Sequence, residues 1–124
     1  MAQKPDFSYA HLNLGIVHAD LRQYDLADVH FAQAVHPHPN DLTARRRWAR
    51  SLAEQHRLRE AILQYVAAVE IDPDDHSLRH ALAKLYLEAG ERDAARQQWR
   101  VAALLAPLEP DYAERLRALE TAAK

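Results

Sequence analysis

Four prolines stand at a fixed step of 34 residues in this 124-residue chain. The same step aligns five columns, which are proline, large apolar, small, small and aromatic: Pro5, Pro39, Pro73 and Pro107; Leu14, Trp48 and Leu82; Ala27, Ala61 and Ala95; Ala34, Ala68 and Ala102; Phe31, Tyr65 and Trp99. A period of this length, with helical patterning between the prolines, predicts stacked helix-turn-helix units. The three units run from Ser8 to Asp41, from Leu42 to Asp75 and from His76 to Glu109.

The aligned columns predict how the two helices of a unit pack. The small column that begins at Ala27 lets the second helix approach the first closely, and the aromatic residue four positions later fills the space between them. Proline ends the second helix, because it disfavours helix in the residue before it. The polar residues that directly follow the prolines, Asp6, Asn40 and Asp74, are expected to cap the next helix.

Glycine is rare in the chain, and its two positions predict a tight turn and a close contact between helices. Gly90 fits a turn inside unit three, and Arg22 and His56 occupy the matching positions of units one and two, at a small cost. Gly15 leaves room for close packing in unit one.

These residues resemble the pattern of the tetratricopeptide repeat family: Leu-Gly, a large aromatic three residues on, and later Ala, aromatic, Ala and Pro. Matching residues occur in all three units: Leu14, Gly15, Ala27, Phe31, Ala34 and Pro39; Ala61, Tyr65, Ala68 and Pro73; Leu82, Tyr86, Ala95, Trp99, Ala102 and Pro107. The resemblance implies an all-α fold, a right-handed superhelical α-solenoid of about seven helices in antiparallel pairs, forming one domain over residues 1–124. Arg45, Trp48, His18 and Leu52 depart from the pattern, which affects local packing rather than the fold.

The two ends of the stack differ in sequence. Residues 110–124 read as a capping helix, whose apolar face covers the last unit: Tyr112, Leu116, Leu119 and Ala123. The front has no such cap, and Pro5 and Asp6 imitate the end of a preceding unit.

Composition excludes several classes of function. With 48% hydrophobic and 27% charged residues the chain is typical of a globular protein, and its net charge of −2 gives no general attraction for nucleic acid or anionic membranes. No apolar stretch is long enough to insert into a membrane and no signal peptide is visible, so a cytoplasmic location is favoured. Arginine exceeds lysine by 13 to 3, which is associated with GC-rich bacterial genomes.

The sequence holds no recognisable catalytic or metal motif, so we expect neither an enzyme nor a cofactor. It has two glycines and no cysteine, which leaves no phosphate-binding loop and no thiolate site. His76 and His80 lie four apart on one helix, but a metal site needs three or four ligands, and we expect none. The basic run Arg45-Arg46-Arg47 is a weak signal for nucleic acid, which is not expected as a partner.

By resemblance to the family, a peptide segment of another protein is expected in a concave groove lined by the first helix of each unit. Helix phase predicts these lining residues: Tyr9, Leu12, Asn13 and Ile16 from unit one; Arg46, Arg47 and Arg50 from unit two; His80 and Lys84 from unit three. Because guanidinium groups pair well with carboxylates, the basic middle predicts an acidic peptide or a free C-terminal carboxylate beside apolar anchors. The alternative is that these arginines form a solvated face and pair internally, for example with Glu54 and Glu88.

A second hypothesis for the function remains open. The uncapped first helix could join copies of the chain, which would make it a structural or assembly module forming a homo-oligomer. On this hypothesis, removing Phe7 and Tyr9 is expected to abolish self-association.

Overall fold

The computed structural model describes residues 6–122, and in that range it contains seven helices and no strand. Their bounds are α1 Ser8–Asp20, α2 Tyr24–Val35, α3 Leu42–Glu54, α4 Leu58–Ile71, α5 His76–Glu88, α6 Arg92–Leu105 and α7 Pro110–Ala122. We call α1, α3, α5 and α7 the leading helices, because α1, α3 and α5 are the first helices of the three units and α7 follows at the same step. Their first residues are spaced by the predicted 34 residues. Pro5 and Ala123, which the sequence assigned to the front and to the cap, lie outside the described residues.

Consecutive helices pack as antiparallel pairs, and the pairs stack on one another. The aromatic column lies at the centre of each pair: Phe31, Tyr65 and Trp99 are buried, in three successive clusters of the core. The alanines four residues before them, from Ala27 onwards, have no exposed surface, so the helices approach as closely as the small side chain allows. The predicted all-α stack of helix pairs is confirmed.

Glycine and its substitutes behave as the sequence predicts. A Cβ added at Gly15 would stand 2.8 Å from the ring of Phe31, so unit one has no room for a side chain there. Gly90 adopts a φ of +82° in its turn, while Arg22 and His56 adopt φ values of 60° and 58° at the matching positions. Two residues with side chains thus occupy a conformation that favours glycine.

The helix caps require a correction of one residue. Asp41 and Asp75, not Asn40 and Asp74, are the N-cap residues of α3 and α5. They have extended backbone, and their carboxylates accept hydrogen bonds from backbone N–H groups in the first turn. In unit one the N-cap residue is Phe7, which supplies no capping side chain. The predicted Asp6 lies one residue before it and accepts a hydrogen bond of 2.8 Å from the backbone N–H of Ser8.

The arginine that departs from the family pattern takes part in a repeated polar contact. Arg45 donates to the carbonyl of Pro39 and to Gln64, at 3.0 and 2.8 Å. Arg79, 34 residues later, donates to Pro73 and Gln98 in the same way. The matching pair in unit one is His11 and His30, whose Nδ1 atoms lie 3.0 Å apart. These contacts join the two helices of each unit.

The last helix, α7, closes the stack. Tyr112 and Leu119 are buried against Trp99 and Ala102 of α6. The hydroxyl of Tyr112 also lies 2.7 Å from Nδ1 of His76 in α5. The outward positions of α7, namely Glu114, Arg117 and Thr121, are exposed and polar. No described helix is both long enough and apolar enough to cross a membrane.

Candidate functional site

The leading helices lie side by side and form one wall, which has two depressions. The first, of about 260 Å³, lies between α1 and α3 and is lined by Ile16, Ala19, Asp20, Phe31, Arg47, Arg50, Ser51 and Glu54. The second, of about 430 Å³, lies between α3 and α5 and is lined by Arg50, Ala53, Glu54, His56, Tyr65, Ala81, Lys84, Leu85 and Glu88. We call this wall with its two depressions the groove. An aromatic residue of the second helix, Phe31 or Tyr65, lines each depression.

Part of the predicted positive charge in the groove is neutralised. Nε of Arg50 lies 3.4 Å from Oε1 of Glu54, one helical turn away. The guanidinium of Arg46 lies 3.7 Å from the carboxylate of Asp75. The internal pairing that the sequence left open thus occurs for two of the three groove arginines.

Two cations of the groove remain available. Arg47 and Lys84 are exposed, and neither forms an ion pair with any residue of the described range. Glu88, which the sequence analysis considered as a partner for an arginine, lies 3.6 Å from Nδ1 of His56 instead. Arg47 lines the first depression together with Asp20, and Lys84 lines the second together with Glu88, so each depression has one cation outside any ion pair and a further carboxylate in its lining.

Tyr65 supplies a polar group to the second depression. Its side chain is largely buried, and this burial raises the pKa of its hydroxyl, although the charges of Arg50 and Arg46 act in the opposite direction. The hydroxyl is therefore neutral at physiological pH and can donate or accept a hydrogen bond.

Ser51 is a feature that the sequence analysis did not single out. It is 2% exposed, and its hydroxyl is the one buried side-chain group in the described range without a hydrogen-bond partner. An unsatisfied buried hydroxyl costs stability, which marks the contact between α1 and α3 as imperfectly packed. Nothing in the residue pattern distinguishes this serine from one that is satisfied.

The predicted groove residues fall into three groups. Ile16, Arg47, Arg50 and Lys84 line the depressions. Tyr9, Asn13 and Arg46 are exposed but lie outside both depressions. Leu12 and His80 face the interior.

The placement of Leu12 and His80 in the groove needs correction. Leu12 is 7% exposed and packs in the core cluster of Phe31, so it presents almost no surface. Nδ1 of His80 accepts a hydrogen bond of 2.9 Å from the indole N–H of Trp99, which turns the imidazole towards α6. Burial, together with the charges of Lys84 and Arg115, lowers the pKa of His80.

Among residues 6–122, no group of three or more His, Cys, Asp or Glu side chains is placed to hold a metal ion. A further open cavity, of about 730 Å³, lies at the base of the first helix pair, where its lining includes Phe7, His36 and Pro37. It lies apart from both depressions of the groove.

Comparison with known proteins finds a matching family model and a relative of similar sequence. A family model described as tetratricopeptide repeat matches residues 52–120. Superkiller protein 3 of Schizosaccharomyces pombe is 27% identical over 95 residues, which are 77% of this chain but only 7% of that protein.

Solved structures agree in fold. The MamA protein superposes with a TM-score of 0.87 at 14% identity, over 95% of this chain and 64% of that one. The N-terminal domain of stress-induced protein-1 from C. elegans gives 0.83 at 17% identity, over 93% and 95% of the two chains. The Yersinia enterocolitica type III secretion chaperone SycD, in complex with a peptide of the translocator YopD, gives 0.84 at 16% identity, over 98% of both. With the family model covering more than half of its length, the chain belongs to the tetratricopeptide repeat family.

Proposed function

We propose that this protein is an adaptor that holds a peptide segment in its groove, and that the segment carries carboxylates beside apolar side chains. Tetratricopeptide repeats are generally non-enzymatic scaffolds for protein interactions, which supports the general role. The structurally similar chaperone SycD has been captured with a peptide of YopD. The observation that carries the proposal is that each depression combines apolar lining with a cation that forms no ion pair in the described range.

Two groove cations outside any ion pair favour an acidic segment, and they act against the carboxylates of Asp20 and Glu88 in the same lining. Arg50 and Glu54 neutralise each other between the two depressions, so they contribute little net field. Arg47 and Lys84 keep their full charge, on two adjacent leading helices. A carboxylate that binds either cation gains a charge-assisted hydrogen bond without breaking an existing ion pair.

The apolar lining supplies the remaining part of the site. Ile16, Ala19 and Phe31 line the first depression, and Ala53, Ala81 and Leu85 line the second. These side chains suit small or medium apolar residues, because each depression is shallow and bounded by helix surfaces. A segment with acidic residues next to such apolar residues therefore matches both depressions.

A selection from random displayed peptides tests the proposal, because it works without an identified partner. We expect the recovered sequences to be enriched in Asp and Glu near aliphatic residues. Binding of the recovered peptides is then measured by fluorescence polarisation for the wild type and for the double variant Arg47→Glu, Lys84→Glu. Reversal of both charges should weaken binding by about tenfold or more, since charged hydrogen bonds contribute about 1.5–3 kcal/mol each.

The double variant Arg59→Glu, Arg100→Glu provides the matched control. Arg59 and Arg100 are exposed on α4 and α6, outside both depressions, and their double substitution gives the same change of net charge. This variant should bind as the wild type does. Equal binding by the groove variant and the wild type, or a selection without acidic enrichment, would refute the acidic-peptide proposal.

A further inference from the structure

One face of α1 and of the residue before it is apolar and exposed. It consists of Phe7, Ala10, Leu14, Val17 and Leu21, which we call the front seam. The spacing of three and four residues alternates, so the side chains form a single row along the helix. Leu14 and Val17 face away from α2, which packs against the opposite side of α1 through Leu12 and Gly15. Phe7, at the start of the row, also lines the open cavity at the base of the first helix pair.

The matching row is covered in every later leading helix. In α3, Ala44 and Trp48 pack against the cluster that contains Phe31 of α2. In α5, the same positions are Leu78, Leu82 and Leu85, which pack against α4. In α7 they are Tyr112, Leu116 and Leu119, which pack against α6. The repeat thus uses this row as a packing surface three times, and only α1 leaves it open within the described residues.

A second copy of the chain offers few surfaces that could cover the front seam. The inner faces of α2, α4 and α6 are already buried by the leading helices that follow them. The outward face of α7 is polar, with Glu114, Arg117 and Thr121 exposed. Stacking of the front of one copy on the tail of another would place the apolar row against these polar residues. Other exposed apolar side chains, such as Leu63, Leu104 and Leu108, form no row of this length along a described helix, so the front seam of the second copy is the surface of matching shape.

We propose that two copies of the chain associate through their front seams, with the two α1 helices antiparallel about a two-fold axis near Leu14. This arrangement places Leu14 against its own copy. The smaller Ala10 then lies opposite Val17, and Phe7 lies opposite Leu21.

Charge supports the antiparallel orientation. The same pairing brings Asp6 of one copy beside Arg22 of the other, and both residues are exposed. The carboxylate of Asp6 lies 2.5 Å from Nε2 of His38 in its own chain, so Arg22 would be its second cationic partner. Arg22 forms no ion pair with any residue of the described range, so its charge is available. The helix dipoles of the two α1 helices also oppose each other, which favours this orientation over the parallel one.

The size of the front seam predicts a weak dimer. Five side chains from one helix bury less than the roughly 1,600 Å² of a standard stable interface, and smaller interfaces are typically transient. Sedimentation velocity should therefore show monomer at about 5 µM and dimer at about 500 µM, a range suited to weak interfaces. A wild-type chain that stays monomeric over this range overturns the proposal.

The double variant Leu14→Glu, Val17→Glu tests the surface. Both residues are exposed in the monomer, so the variant should retain its helical circular dichroism while losing dimerisation at every concentration. Leu63→Glu, at an exposed leucine on α4, is the control and should dimerise like the wild type. If the front-seam variant is folded and still dimerises, the front seam is not the interface.

Cysteine placement tests the orientation, because the natural chain has no cysteine. Under mild oxidation, Leu14→Cys should give a cross-linked dimer with itself, and Arg117→Cys, on the outward face of α7, should not. A mixture of the two variants should contain only the Leu14→Cys homodimer. A mixed cross-link between the two variants would instead show front-to-tail stacking and overturn the two-fold arrangement.

Discussion

The first and last helices of this stack, α1 and α7, differ in the polarity of the face that no described helix covers. Each leading helix has a backward face, which packs on the preceding helix where there is one, and a forward face, which packs on the helix that follows it. At the tail, α7 buries its backward face and carries polar residues on its forward face, where no further helix follows in the described range. At the front, α1 buries its forward face against α2 and keeps an apolar backward face. Within the described residues, the face that no helix covers is therefore polar on α7 and apolar on α1.

One aligned column shows how strongly the covering helix determines burial. Leu14 and Leu82 are the same residue at the same position of two units, yet Leu14 is 42% exposed and Leu82 is 1% exposed. The helix α4 covers Leu82, whereas no described helix covers Leu14. The residue type determines how much apolar surface a position can bury, and the presence of a neighbouring helix determines whether that surface is buried.

The largest expected effect comes from shortening this leucine at the two positions. Leu82→Ala should reduce the free energy of unfolding by about 2–5 kcal/mol, because it leaves a cavity in a packed core. Leu14→Ala should cost less than about 1 kcal/mol in dilute solution, where little surface is lost. Urea unfolding at low protein concentration measures both. Equal losses would contradict the assignment of the front seam as uncovered.

Gly15→Ala should have the next largest effect and tests the other face of α1. The new methyl group would meet the ring of Phe31, so we expect a loss of about 1–3 kcal/mol from overpacking. Ala49→Gly, at the same position of unit two, is the comparison and should cost about 1.5–2 kcal/mol, because it loses a fully buried methyl group as well as helix propensity. Thermal unfolding of both variants decides whether the tight contact is confined to unit one.

Acidification should destabilise both ends through histidines. The pKa of His30 is lowered by burial and by the neighbouring His11 and His18, and the pKa of His80 is lowered mainly by burial. The unfolded chain therefore binds more protons near pH 6, so stability is complete above about pH 6.5 and falls as the pH decreases below it.

Variants separate the contributions of the two ends to this pH dependence. At the tail, Nδ1 of His80 must be unprotonated to accept the indole N–H of Trp99. His80→Gln and His30→Gln should each flatten the decline of the melting temperature between about pH 7 and about pH 5. A decline that is unchanged in both variants would assign the acid sensitivity to other groups.

The smallest expected effect concerns the turns. His56→Gly should stabilise the protein by up to about 1 kcal/mol, because it relieves a left-handed conformation but adds flexibility to the unfolded chain. Arg22→Gly should behave in the same way in unit one. Gly90→Ala, at the matching turn of unit three, should lower the melting temperature. A destabilising His56→Gly would show that the contact with Glu88 outweighs the strain.

The sequence predicts the helices and their stacking because the 34-residue step repeats both composition and geometry. It misplaces the N-caps by one residue because Asn40 and Asp41, like Asp74 and Asp75, are adjacent residues that can each cap a helix. Only the backbone conformation decides between them. The correct choice is Asp41 and Asp75, whose extended backbone directs the carboxylate at the first turn.

The lining of the groove is harder to predict, because the direction of a side chain at its edge depends on the residue type and on the partner that the side chain finds. Leu12, Arg46 and His80 occupy one column, so helix phase assigns them all to the groove. The leucine turns into the core, the arginine extends to Asp75, and the histidine binds the indole of Trp99. Such choices depend on contacts between different helices, which the spacing along a single helix does not encode.

Mapping peptide binding onto the folded chain tests the role of the groove without any substitution. An acidic peptide recovered from the display selection is titrated into the isotopically labelled protein, and backbone amide shifts are followed by nuclear magnetic resonance. We expect the largest changes to cluster on α3 and α5, around Arg47 and Lys84. Changes confined to α4 and α6, or to the front seam of α1, with no response at those two residues, would contradict binding in the groove.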